Sequence, residues 1–299
     1  MPPLVHRHVA AEHFSRLLQR FATQLHETAR SPAPEPIHDL RVSIRRFDQI
    51  LSTFRDWFEL RKLQTARRNL RTLFDAAGDV RDCDIAIELL AKSGLNDVSE
   101  IAEALHTRRK SAEHRLTASM RGMIRRRAPA VWHTEFSKMR PPAGAELLSW
   151  HDLARQEIPP RAERFFRTGK RALKKGSARD LHKFRIAAKK FRYTFELFED
   201  AYGPDAEPRL ESLRSVQTIL GDINDIRTLR GLAREFGGAK ELKATLRRQQ
   251  RRKIAQFRSL WEAHFPPAVE KNWLDFFLSP PRKPMARAER PVLKVIAAR

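Results

Sequence analysis

Apolar residues recur at helical spacing along most of the chain. Between His8 and Thr28 they stand at Val9, Phe14, Leu17, Leu18, Phe21 and Leu25, which predicts one long helix. The run Ser31-Pro-Ala-Pro-Glu-Pro36 ends it, because proline breaks helices, and Pro36 offers a start for the next. That second helix runs to about Leu60. It carries Leu40, Ile44, Phe47, Leu51, Phe54 and Phe58 on one stripe, a core face. In a later helix Phe184, Ala188, Phe191, Phe195, Phe198 and Tyr202 take the same relative positions, each 144 residues further on.

The rest of the chain repeats in the same order. Leu63, Ala66, Leu70, Leu73 and Ala77 form a stripe that Leu210, Leu213, Val216 and Leu220 match. Gly78 then precedes Asp79-Val-Arg-Asp82, and Gly221 precedes Asp222-Ile-Asn-Asp225. A kink or cap is expected at each glycine, where another backbone passes close, with the acids opening a new turn. Capping or pairing with an arginine is the plain reading of Asp82 and Asp225, and catalysis is its rival. Ser99–Arg127 and Lys240–Phe265 predict long basic helices containing Arg108, Arg109 and Arg252.

The expected fold is all-α: two tandem, pseudo-symmetric four-helix bundles from an internal duplication, with a basic cleft between them. Residues 8–128 form the first bundle and 146–265 the second. A Pro-marked linker at 129–145 joins them. Residues 266–299 supply a short docking segment at Asn272–Phe277 and, from Ser279, a basic tail that is extended or disordered.

Charge narrows the function. The 299 residues carry a formal net charge of +23, an excess that calls for a polyanionic partner: nucleic acid, an anionic membrane surface or polymeric phosphate. Cys83 is the single cysteine, which excludes an intrachain disulfide and fits a reducing compartment. No uncharged apolar run is long enough for a signal peptide or a membrane span, so a soluble, cytoplasmic protein is expected.

The candidate chemistry lies opposite the core stripe. His38, Arg41 and Arg45 fall within about 60° of one another on their helix, as do His182, Arg185 and Lys189 on theirs. A solvated charged face explains one such edge; solvent imposes no shared register on two. Arg46 and Lys190 extend the edges. Arg67, Arg68 and Arg71 stand beside the next stripe, and Arg214 matches Arg71. Two like-charged faces are costly to pack together, which favours a cleft with room for an anion.

These motifs carry a resemblance. H-x-L-R-V-x-x-R-R, the later L-H-x-F-R-I-x-x-K-K-x-R-Y, and the paired G-x-x-R-D and L-G-x-x-N-D blocks resemble the CHAD domain, the conserved-histidine α-helical domain, over residues 8–265. The resemblance implies paired four-helix bundles that bind inorganic polyphosphate at the surface they share. Some members are fused to a triphosphatase-like domain, for which this chain has no room, so a stand-alone member is expected; some members associate with polyphosphate granules. Carried over by position, the binding set is His38, Arg41, Arg45, Arg46 and Arg71, with His182, Arg185, Lys189, Lys190 and Arg214. Arg68, Arg108, Arg109 and Arg252 join as nearby cations. Lysines at 189 and 190 depart from the arginines of the first copy and bind phosphate as point charges rather than forks.

Other readings stay open. His38 and His182 are core or cap histidines, phosphate donors or, least supported, metal ligands. Nucleic acid is a competing or secondary ligand that the charge permits, although no aromatic platform for base stacking is present. Neither a P-loop, nor an acidic metal cluster, nor a nucleophile–base pair is visible, so no enzyme, metal or cofactor is expected, and a metal-dependent phosphohydrolase is the weakest rival reading.

Overall fold

The structure, a computed structural model, describes residues 4–93, 98–143, 148–235 and 240–279, with side chains from residue 8 onward. Helices dominate, and no strand occurs among the described residues. In order they are α1 (Leu4–Arg30), α2 (Pro34–Thr53), α3 (Leu60–Ala91), α4 (Ser99–Arg125), α5 (Ala128–Phe136), α6 (Trp150–Glu157), α7 (Pro159–Lys175), α8 (Ala178–Leu197), α9 (Ala206–Glu235), α10 (Lys240–His264) and α11 (Pro267–Leu278). Neighbours in sequence pack as hairpins: α1 on α2, α2 on α3, α3 on α4, then α7 on α8, α8 on α9 and α9 on α10.

The two halves meet through α3 against α9 and α2 against α8. They share one main core, in which the α2 stripe and the α8 stripe are both buried. Phe54 lies 6.2 Å from Phe198, ring to ring, and Trp150 stands 4.6 Å from Phe198. A second apolar cluster joins Leu90 and Leu105 to Leu229 and Leu246 at the far ends of α3, α4, α9 and α10.

Besides the end of α2, which stops at Thr53 rather than near Leu60, three expectations change. First, α3 runs unbroken through Gly78 and α9 through Gly221. Both helices are packed against three long neighbours, which outweighs the local glycine penalty. What approaches Gly78 is a side chain: a Cβ there would lie 2.6 Å from Arg41 Nη1. Second, the supposed linker contains α5, whose Trp132 and Phe136 are buried against α1 and α2 aromatics. Third, the docking segment begins earlier, at Pro267, and seats Trp273 and Phe277 on Phe191 and Phe195. The expected tail at 280–299 lies outside the described residues.

Candidate functional site

Helices α2 and α8 present the cationic edges. Ala33, in extended backbone, and Pro34 open α2, and Thr28 ties α1 to it by donating to the Pro36 carbonyl at 3.0 Å. Ser177 caps α8, accepting from the Asp180 backbone N–H at 3.1 Å. With the apolar stripes committed to the core, the opposite edges face each other across the α2–α8 contact. Gln49 spans it, its Nε2 donating to Thr53 Oγ1 at 3.2 Å and Thr194 Oγ1 at 2.9 Å.

Four basic side chains converge here. Arg41 donates from Nη1 to the Phe74 carbonyl at 2.9 Å and lies 4.2 Å above that ring. Arg45 lies 5.8 Å from the Tyr193 ring, which Arg192 also approaches at 4.8 Å. Arg185 and Lys189 face them from α8. The Nε groups of Arg45 and Arg185 are buried with no hydrogen-bond partner among the described residues. An unanswered buried donor of this kind costs about 1–3 kcal/mol.

The electrostatics record the crowding. Burial first, then Arg45, Arg185 and Arg41, push the Lys189 ammonium down to about 6. Burial, then Arg45, lowers Arg41 to about 10. Burial likewise lowers Arg45 and Arg185. Asp82 on α3 and Asp225 on α9 are the facing carboxylates. Burial raises both, and Arg41 and Arg185 respectively oppose the rise. Neither forms an ion pair within 4 Å among the described residues. His38 and His182 are exposed near the helix starts. The part of each ring that packs against the protein, followed by Arg81 for His38 and Arg227 for His182, lowers them below the ordinary histidine value.

A groove of about 740 Å³ opens beside this cluster between α2, α3 and α8. Arg45, Arg67, Arg68, Arg71, Lys189 and Lys190 line it over an apolar floor that includes Phe74 and Ile186. Arg67 is held by both oxygens of Asp48, at 2.7 and 3.2 Å. Arg71 remains highly exposed, with Asp75 3.9 Å away.

Several expected site residues stand elsewhere. Arg46 faces a second cavity, 3.7 Å from Glu196. Arg214 is engaged by Glu207 at 2.6 Å and Glu211 at 3.2 Å, so it does not duplicate Arg71. Arg108 pairs with Glu235 at 2.7 Å. Arg109 is consumed by Asp84 at 2.6 Å, Glu113 and the Pro32 carbonyl. Arg252 lies exposed on α10 and outside the groove lining. Sequence reasoning missed Phe74, Tyr193 and the floor residue Ile186. Tyr193 ends the K-K-x-R-Y motif and could have been found there. Among the described residues no group of three or more His, Cys, Asp or Glu could hold a metal ion, and no helix could cross a membrane.

The class is therefore an all-α protein with a cation-lined junction between two helical halves. Residues 12–234 match the model of the CHAD domain family, and the chain belongs to that family. It is similar in fold to the crystal structure of the CHAD domain from the plant Ricinus communis, at 20% identity and a TM-score of 0.64 over 93% of each chain. It is also similar in fold to PptA from Streptomyces chartreusis, at 16% identity and a TM-score of 0.62, covering 86% of this chain and 98% of that one. No curated protein sequence matches it.

Proposed function

We propose that the α2–α8 junction and its groove bind inorganic polyphosphate, and that the protein acts by binding rather than by catalysis. The observation that carries this reading is the set of unanswered donors: the buried Nε groups of Arg45 and Arg185, beside the Lys189 amine, whose pKa burial and then the neighbouring cations lower to about 6. Such a cluster is unfavourable until an anion answers it. A linear chain with about one charge per internal phosphate supplies closely spaced oxygens. Arg41 and Arg45, one turn apart at about 6 Å, form a matching comb. Guanidinium–phosphate contacts are charge-assisted and often bidentate. Membership of the CHAD domain family supports the same ligand.

The test changes Arg41, Arg45, Arg185 and Lys189 together to Ala. Calorimetry with polyphosphate of defined length should show binding abolished while circular dichroism keeps its helical signal. Affinity retained by the folded variant overturns the assignment. Competition against double- and single-stranded DNA at matched salt separates phosphate-polymer recognition from general polyanion binding.

A further inference from the structure

A second cavity, of about 310 Å³, lies on the other side of the Gln49 bridge, lined by α1, α2, α8 and α9. Gln49 and Tyr193 line both spaces, so these two side chains form the wall between cavity and groove. Four arginines reach the cavity: Arg16 and Arg20 from α1, Arg46 from α2 and Arg214 from α9. Arg16 is hydrogen-bonded to His13 Nδ1 at 2.6 Å, and the imidazole stacks on Trp150 at 5.1 Å between centroids. Burial, then Arg16, lowers His13, which fits a neutral ring accepting from the guanidinium. Arg20 is exposed and has no hydrogen bond or ion pair among the described residues. Arg46 sits 3.7 Å from Glu196, whereas Arg192 takes that carboxylate at 3.0 Å, so the Arg46 fork keeps donors to spare.

The cavity differs from the groove in its chemistry. Glu196 and Glu199 also line it, so arginine forks face carboxylates across a small space. Arginines outnumber these carboxylates, and Glu196 is paired with Arg192, so the cavity attracts anions; internal units of polyphosphate, however, have no proton to offer a glutamate oxygen. A phosphate that keeps a P–OH has both faces: oxygens for the arginines and a donor for a carboxylate. We propose that this cavity is a separate site for hydrogen phosphate, distinct from the groove and independent of what the groove holds. Free orthophosphate and the end of a phosphate chain share that chemistry.

Equilibrium dialysis of the full chain against radiolabelled orthophosphate near neutral pH tests it. Saturable binding of one equivalent is expected. It should persist in the Arg45→Ala/Lys189→Ala variant and weaken at least tenfold in Arg16→Ala/Arg20→Ala, both of whose sites are exposed on α1. Sulfate, fully ionised at this pH, should not compete. Absence of saturable binding, equal displacement by sulfate, or loss in the groove variant alone overturns the proposal. Displacement of label by long-chain polyphosphate assigns the site to chain ends, and its failure assigns it to the free ion.

Discussion

Polyphosphate binding should take up a proton at Lys189. In the free protein its ammonium titrates at about 6, against 10.5 for an ordinary lysine. At about pH 8.5 roughly 0.3% of molecules carry that proton. Phosphate oxygens at the junction favour the charged form and move the value back up. The sign follows: a group whose pKa rises on binding contributes its full affinity below the free value, and loses it as pH climbs above about 6. Between about pH 5 and pH 8.5 the loss approaches about 3 kcal/mol, roughly 300-fold in affinity. His38 and His182, lowered in the free protein, act in the same direction at lower pH. Calorimetry at about pH 8.5 in two phosphate-free buffers of different ionisation enthalpy reads the uptake directly. Close to one proton per complex is expected, and Lys189→Arg should remove the uptake while retaining binding. A buffer-independent enthalpy for the natural chain, or unchanged uptake in Lys189→Arg, refutes the reasoning. Without ligand, unfolded Lys189 keeps its proton up to about 10.5, so the unfolded chain binds more protons between the two values and stability rises with pH there.

Other substitutions probe the supports of the site. Gly221→Ala meets nothing within 4 Å and should stabilise α9 by about 0.5–1 kcal/mol without touching affinity, read by urea denaturation and calorimetry. Gly78→Ala should leave stability near its starting value, because only the tip of Arg41 must move, yet it should weaken polyphosphate binding by displacing that guanidinium from the Phe74 carbonyl. Gly169→Ala pushes a methyl to 2.1 Å from the buried Trp261 ring and should cost about 1–3 kcal/mol in denaturant unfolding. Arg109→Ala strands the buried Asp84 carboxylate and should destabilise by about 3 kcal/mol, with unchanged affinity per folded molecule.

The stripes were legible because burial imposes period: Leu40 to Phe54 and Phe184 to Phe198 are core, as their spacing demanded. The cationic edges were legible for the same reason, since each stripe leaves one opposite face. The glycine breaks were misread. Local propensity cannot weigh the packing that three neighbouring helices give α3 and α9, nor show that Arg41 fills the space at Gly78. Arg46 and Lys190 hold matching places in their motifs, yet Arg46 faces the cavity and Lys190 the groove. The wall that divides those spaces rests on a Gln49–Thr194 contact 145 residues apart, which no periodicity announces.

The most direct measurement is a crystal structure of the protein with a polyphosphate of defined length. Phosphate oxygens should lie within hydrogen-bond distance of the Nε groups of Arg45 and Arg185 and of Lys189 Nζ, with the chain continuing along Arg68 and Arg71. A polymer bound elsewhere, with those three side chains still unanswered, contradicts that placement.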